Sequence, residues 1–527
     1  MGTEQKKTSL LGSVSFVMVI MIFSRLLALL STQIYISVFG TEGNINIYSY
    51  AITIPNTIFN CIGTALSTVV IPIYAGHLAK GEHEAARKFA DNIITVATVL
   101  TAGLVLIGMG LAFVLPLLTE FRHEPQYSFA VRALMIMMPV MLFTGLNYIL
   151  QGILQSHGHY GFPAFVSVPS SLVVIGYVLF FVDKAEPEKN VPGLLIATFI
   201  GLALQALILI PPAIAAGYRY KPSFGFTDPD ILKAGKMALP VLLGVSAYQL
   251  NMFFNTTMIA GFGNMVTVMT YVQNLVLYMV LAFVYSITAV VYPKLTESAA
   301  AGKMDEYKDT LSGVLKTTLA LLIPITFGLI AVRYPLLDLI AGWGKFSEND
   351  VATASRIMLL YAIGIVGIGL KEILDRAFYA VNDTKTPALV GVIIMGVNVL
   401  LGLGIVFYFK TTATPDNGAF GIPFAYSVAS LTGLAVSLIL LRRKVGRIGG
   451  GLLSDALKCL VSGIVMGGAV IGLRVLTEKV FAGGGVFLKL VRLGVPVIAG
   501  ILIYAALAVI FRVSAAEPVM RKMKRNQ

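Results

Sequence analysis

The sequence predicts an all-α polytopic membrane protein of about 14 transmembrane helices, arranged as two parallel-repeat six-helix lobes plus a C-terminal helix pair. Three observations carry that expectation. Hydrophobic residues make up 57% of the 527-residue chain and charged residues only 12%, about half the charged share of a soluble domain. The apolar stretches are mostly 20–30 residues long, enough to cross ~30 Å of hydrocarbon as helix. Parts of the chain also occur twice.

The duplication is visible in two places. Residues 67–87, STVVIPIYAGHLAKGEHEAAR, match 288–308, TAVVYPKLTESAAAGKMDEYK, at a shift of 221. Val69, Val70, Pro72, Ala79 and Gly81 fall on Val290, Val291, Pro293, Ala300 and Gly302. Residues 146–168 match 370–392 at a shift of 224, with identical partners for Leu146, Ile149, Leu150, Pro163, Ala164, Val166 and Val168. Matched aliphatics weigh little in so apolar a chain; aligned prolines and a glycine at nearly one offset weigh more. Six spans per copy is an even number, so both copies insert with one orientation, related by an axis along the membrane normal. Membrane proteins built this way usually move something through the interface between their halves.

Taken in order, the first span covers residues 11–39 after Lys6 and Lys7. It is too long for a signal-peptide core and lacks a clear cleavage site, so it reads as a retained helix. Spans 48–75 and 267–293 are the repeated pair. Each has a proline near its end and then an amphipathic stretch, 76–92 or 294–311, which reads either as a short interfacial helix on the cytoplasmic surface or as a simple connector. Spans 93–118, 129–154, 163–182 and 193–217 complete a first lobe, residues 1–220. Asp228 and Pro229, an ordinary N-cap and first helical residue, introduce 235–261. That span opens a second lobe, residues 221–448, which continues with 312–339, 352–381, 387–409 and 418–441. Gly449, Gly450 and Gly451 form a joint to spans 453–476 and 486–512, in the C-terminal pair and basic tail of 449–527.

Charge sets the orientation. The N-terminus, even-numbered loops and C-terminus hold about 21 Lys/Arg, the odd-numbered loops about 6. Both termini are therefore expected in the cytoplasm. Arg442, Arg443, Lys444 and Arg447 form one cluster, and Arg521, Lys522, Lys524 and Arg525 another; such clusters also attract anionic lipid head groups. The net charge of +13 is explained by this rule, so no nucleic-acid partner is expected.

Several chemistries are set aside. Cys61 and Cys459 both fall in apolar spans, without disulfide or zinc spacing. Asp228-Pro229-Asp230 looks like the Asp-x-Asp of metal-dependent sugar transferases, but its helix-start position is explanation enough. His77, His83, His157 and His159 show no ligand grouping, and no phosphate-binding Gly-rich loop with Lys-Ser/Thr occurs. With every connection short, no enzyme, no resident metal and no cofactor are expected.

Ionisable groups inside spans are costly and tend to face a cavity or a partner. Arg25 lies about 14 residues into the first span, near the bilayer centre at ~1.5 Å per residue. A buried partner is one reading; a polar cavity, with a phosphate as counter-charge, is the other. The tenth span carries Lys371, Glu372, Asp375 and Arg376, spaced as two i,i+4 pairs. They either neutralise one another or line a cavity and exchange partners as it opens. Glu372 and Asp375 are the candidates for proton or cation coupling. Asn56 and Asn60, Asn251 and Asn255, and Asn274 can hydrogen-bond sugar hydroxyls or glue helices together.

The stretch Lys371-x-x-Leu374-x-Arg376-x-Phe378-Tyr379-Ala380-x-x-Asp383-Thr384-x-Thr386-Pro387 resembles the MurJ (MviN) family of lipid II flippases, in the multidrug/oligosaccharidyl-lipid/polysaccharide exporter superfamily. Ser24-Arg25, Ile54-Pro55-Asn56 and Gly244-Val245-Ser246 look similar too. The resemblance implies a V-shaped cavity between lobes that alternates between membrane faces, and a groove beside the C-terminal pair for a polyprenyl tail. It implies that Arg25 meets the substrate's diphosphate region. The departures are specific: Ser31 replaces a second arginine of the first helix, Phe59 or Asn60 a basic residue of the second, and Asn274 and Leu277 an arginine and a glutamate of the eighth. Asn398 matches one ligand of a sodium site found in some relatives, but its acidic partner is Gly402 here.

The leading expectation is a flippase carrying an undecaprenyl-linked cell-wall precursor, lipid II, to the outer leaflet of the bacterial cytoplasmic membrane. Sodium, protons or the membrane potential would drive it, and membrane lipids and cell-wall synthesis enzymes would be its neighbours. The alternatives are a flippase for another lipid-linked saccharide, a cation-coupled multidrug exporter of the same superfamily, and a non-transporting membrane scaffold.

Overall fold

The computed structural model describes residue 20 and residues 23–262, 265–411, 418–481 and 485–516. The start of the first expected span and the basic tail of Arg521, Lys522, Lys524 and Arg525 lie outside the described residues. All elements among the described residues are helical. The chain forms two compact units, Met1–Thr267 and Val268–Gln527.

The first unit holds α1 (Phe23–Phe39), α2 (Asn44–Ala79), α3 (His83–Leu111), α4 (Gln126–Met137) and α5 (Val140–Ser156). It continues with α6 (Gly161–Phe165), α7 (Val168–Phe180), α8 (Val191–Leu207), α9 (Ile210–Ala215) and α10 (Pro229–Ala260). Its core is built where α2, α3 and α5 face one another through Val70, Phe89, Ile93, Ile149 and Ile153. The second unit holds most of α11 (Val266–Ala300), then α12 (Met304–Ile340), α13 (Glu348–Ile363), α14 (Ile365–Ala380), α15 (Lys385–Thr411), α16 (Gly418–Val445), α17 (Leu452–Val480) and α18 (Val486–Ile510). There the Tyr307 hydroxyl, fully buried, donates to Ala377 O at 2.7 Å and ties α12 to α14.

Each of the fourteen expected spans overlaps a helix or a helix pair. Ten described helical segments, counting α4–α5, α6–α7 and α8–α9 as one each, are long and apolar enough to cross a membrane, or eleven if the bent pair α13–α14 is one span. The count of fourteen is thus not reached on that criterion. The expected boundary at residue 220 marks the sequence repeat, whereas contacts divide the chain at Thr267. α10 groups with the first unit because it packs along α2.

The duplication recurs in backbone detail. α2 ends at Ala79 and α3 starts at His83; α11 ends at Ala300 and α12 starts at Met304, the same positions shifted by 221. Both junctions turn on a glycine with positive φ, Gly81 at 76° and Gly302 at 71°. In both, the residue after the glycine bonds back to the helix, Glu82 N to His77 O and Lys303 N to Ser298 O, each at 2.9 Å. This is a left-handed helix cap that glycine adopts without steric cost. At the second repeat, His159 N reaches Leu154 O across Gly158, and Asp383 N reaches Phe378 O across Asn382, both at 2.9 Å.

These caps correct one expectation. The amphipathic stretches 76–92 and 294–311 are not separate interfacial helices. The glycine caps turn the chain within three residues, and the amphipathic sequence becomes the first turns of α3 and α12, burying Phe89 and Tyr307. Four expected continuous spans are also interrupted. Pro139 lies in the break between α4 and α5, Pro169 stands at the start of α7 after α6, Pro211 and Pro212 open α9, and α13 and α14 meet at Gly364 with a 41° bend. Proline lacks the donor that would carry the helix through. At Gly364 the cause is different. Its amide bonds to Tyr361 O at 3.0 Å, leaving Leu360 O to the Ser427 hydroxyl of α16, which donates to it at 2.6 Å.

Candidate functional site

The expected site residues fall in both units. In the first, Arg25 sits on α1 with an exposed side chain. The preceding residue fixes that helix: the buried Ser24 hydroxyl donates to Ala164 O of α6 at 3.1 Å. Arg25 lies within electrostatic reach of Tyr148 on α5. Tyr148 in turn donates to Asn60 Oδ1 on α2 at 3.3 Å. Its ring lies where a side chain on Gly63 would stand, 2.2 Å from a Cβ placed there, so only glycine admits it. Tyr148 and Asn60 therefore form one polar group, with Arg25 within electrostatic reach of it and Asn56 one turn away on α2. Below it on α5, Gln151 Nε2 donates to Asn147 Oδ1 at 2.9 Å.

Asn251 and Asn255 behave differently. They are 2% and 1% exposed on α10, which packs along α2, with Ser246 against Cys61. Burial of that degree fits the helix-gluing role of an amide. Asn274, on α11, is half-buried.

In the second unit the four charges lie on α14, which begins after the Gly364 break. Lys371 Nζ meets Asp375 Oδ2 at 2.5 Å and Arg376 Nη2 meets Glu372 Oε1 at 3.0 Å. Both predicted i,i+4 pairs are made. The Arg376 guanidinium also stands 5.8 Å from the centre of the Tyr379 ring, within cation–π range. Asp375 keeps one carboxylate oxygen, Oδ1, buried with no hydrogen-bond partner among the described residues, an acceptor left over on the most buried member of the quartet. Asn398, on α15, is 1% exposed.

The backbone under these charges is tightly held. A Cβ on Gly364 would lie 2.8 Å from Ser427 Cα, and one on Gly367 would lie 2.8 Å from Leu431 N. Small residues let α14 and α16 meet backbone to backbone, as membrane helices often do. The other end of α14 is secured by Asp383. Its carboxylate accepts from Thr386 N at 3.0 Å, Thr386 Oγ1 at 2.7 Å and Lys444 Nζ at 2.6 Å. Burial alone would raise the Asp383 pKa, but Lys444 and Thr386 outweigh it and hold the carboxyl down at about 2.

One buried carboxylate is not marked by the sequence pattern. Asp91, 5% exposed, accepts from the Tyr218 hydroxyl at 2.9 Å and from Lys221 N at 3.0 Å. Burial, and then the hydrogen bond to Asp91, push the Tyr218 phenol well above its usual range, so it stays a donor. Asp91 was hidden because the expected span began at residue 93. Asp228 does cap α10, accepting from Asp230 N at 3.0 Å. Lys88 reaches Asp228 at 3.1 Å and His77 reaches Asp230 at 3.0 Å, so the Asp-Pro-Asp triplet ties the α2–α3 turn to α10.

Comparison with known proteins matches this architecture. The model of the family described as lipid II flippase MurJ matches residues 36–492. A probable lipid II flippase MurJ of Vibrio cholerae serotype O1 is 25% identical over 440 residues, covering 81% of this chain and 82% of the relative. The lipid II flippase MurJ of Burkholderia cenocepacia is 26% identical over 386 residues, covering 70% and 73%. A solved structure of lipid II flippase MurJ in an inward closed conformation superposes with a TM-score of 0.76 at 21% identity, covering 94% of this chain and 98% of that one. An inward-facing multidrug resistance transporter of the MATE family, in the MOP superfamily, gives 0.65 at 14% identity, covering 80% and 94%. With a helical fold shared over nearly its whole length and a family match spanning most of the sequence, the chain belongs to the lipid II flippase MurJ family.

Proposed function

We propose that this protein moves lipid II, an undecaprenyl-diphosphate-linked cell-wall precursor, from the inner to the outer leaflet of the bacterial cytoplasmic membrane by alternating access. The observation that carries the reading is the family match over residues 36–492. No covalent chemistry is needed. Transport requires only that the cargo bind the inward- and outward-open states with different free energies.

Roles follow from residue chemistry. Arg25 holds the diphosphate, because a guanidinium pairs with phosphate oxygens in a bidentate fork. Asn56, Asn60 and Asn274, half-buried amides, meet the sugar hydroxyls, with Tyr148 ordering Asn60. Asn251 and Asn255 fix α10 against its neighbours. Lys371 and Arg376 add positive charge toward the cargo when their pairs with Asp375 and Glu372 open. Glu372 and Asp375 couple the cycle to protons, sodium or the membrane potential, and Asn398 is the candidate sodium ligand. The polyprenyl tail lies along α17 and α18. The two sequence copies make lobes of residues 1–220 and 221–448, with both termini in the cytoplasm and cell-wall synthesis enzymes as neighbours.

The test is a leaflet-accessibility assay for lipid II. Arg25→Ala should abolish delivery to the outer leaflet while the folded protein remains in the membrane. Wild-type delivery by that variant would remove Arg25 from the mechanism.

A further inference from the structure

We infer that Arg333 of α12 and Arg474 of α17 form a binding site for the phosphate of an anionic phospholipid head group, separate from the cargo site. The argument starts from Pro335. Proline has no amide hydrogen, so Ala331 O, four residues back, loses its donor inside α12. Arg474 supplies one from the next helix, with Nη1 3.3 Å from Ala331 O. Arg333 Nη1 donates to the neighbouring carbonyl, Ile330 O, at 2.6 Å. Two guanidiniums from different helices are thereby held against consecutive carbonyls, close enough to repel each other.

The other charges around them are mostly paired. Lys489 of α18 pairs with Asp338 at 2.8 Å, and Glu478 lies 3.4 Å from Arg474 Nε. Glu348 acts on the neighbouring Tyr334, but Arg333 itself has no carboxylate within ion-pair distance among the described residues. Its guanidinium is the group that the single negative charge of a phosphodiester would pair with. Donors are also left, since each guanidinium has five N–H groups. The buried Arg474 Nε faces Glu478, so the donors left for a head group are on the Nη atoms of the two guanidiniums.

The depth is right for a head group. Arg333 lies seven residues from the end of α12, and Arg474 six from the end of α17, about 10 Å at the rise of a helix. Tyr334 and Trp343 stand exposed nearby, 37% and 52%, the aromatic signature of a membrane interface. Long cationic side chains at that level reach phosphates while their stems stay in hydrocarbon.

The test uses the full chain in nanodiscs of equal phosphatidylglycerol and phosphatidylcholine, with native mass spectrometry of the retained lipid. The wild type should retain phosphatidylglycerol in excess, Arg333→Gln should cut the excess at least threefold, and Arg333→Gln with Arg474→Gln should abolish it. Among the described residues Arg333 makes its one side-chain hydrogen bond within its own helix, so the single variant decides even if the double fails to fold. Arg25→Ala should keep the excess, which separates this site from the cargo site. An unchanged lipid ratio in Arg333→Gln, loss of the excess in Arg25→Ala, or displacement of the lipid by inorganic phosphate alone would each overturn the inference.

Discussion

Lys444 reaches back 61 residues to Asp383, its ammonium 2.6 Å from Oδ2, and so ties the end of α16 to the turn between α14 and α15. Asp383 is 9% exposed, and the same carboxylate caps α15 through Thr386. The motif at residues 371–387 thus has a structural half, the capped turn, and a charged half, the two pairs on α14.

The Asp383 carboxyl gives a pH prediction. Its folded pKa, about 2, lies below the ordinary value of about 3.9. Its contribution is present above pH ~4 and lost as pH falls toward 2. The contribution is on the order of 2–3 kcal/mol. Asp383→Asn should lower the melting temperature at neutral pH and remove that part of the acid dependence. An Asn variant with the wild-type melting profile from pH 7 to pH 2 would show the pair to be inert.

The α14 pairs make a prediction about charge reversal. Removing one partner of a buried pair costs about 3–5 kcal/mol, and Lys371 and Asp375 have side chains only 20% and 13% exposed. Asp375→Asn should destabilise the protein toward the lower end of that range. Lys371→Asp with Asp375→Lys should recover much of the loss, read as thermal stability in detergent. Equal destabilisation by the single and the exchanged variants would mean that pairing is not what these residues do for the fold.

The bend at Gly364 predicts asymmetric effects at one contact. Ser427→Ala leaves Leu360 O without its donor, a loss of about 1–3 kcal/mol. Gly364→Ala inserts a methyl 2.8 Å from Ser427 Cα, and overpacking of this kind costs about 1–3 kcal/mol. The double variant should cost less than the sum, because the two residues share one contact. Strict additivity in a double-mutant cycle would contradict the contact.

The duplicated caps predict equal effects at two distant sites. Gly81 and Gly302 have φ of 76° and 71°, with open space around a Cβ at either. Alanine at either position therefore meets backbone strain alone, about 1–2 kcal/mol. Gly81→Ala and Gly302→Ala should lower stability by the same amount within error. Loss at one site only would show that the two turns do not share one structural role.

Much of this was legible in the sequence. Membrane helices announce themselves because no other apolar stretch of that length is stable in water, and the repeated Pro and Gly mark the two segments as equivalent. The α14 pairs followed from i,i+4 spacing, and Asp228 from its place before Pro229. What escaped notice depended on neighbours distant in sequence. The bend at Gly364 needs Ser427, and the buried role of Asp91 needs Tyr218. Arg474 gains its partner only because Pro335, on another helix, frees a carbonyl. The amphipathic stretches stay open between an interfacial helix and a connector in the sequence because their hydrophobic faces fit an interface as well as the first turns of a long helix. The glycine caps decide between the two.

The most direct test of the account is to express this chain in bacteria depleted of their own lipid II flippase and to measure lipid II in the outer leaflet. The account predicts that the chain restores outer-leaflet lipid II and that Arg25→Ala, present in the membrane at the same level, does not. Folded, membrane-inserted wild-type protein that leaves lipid II confined to the inner leaflet would contradict it.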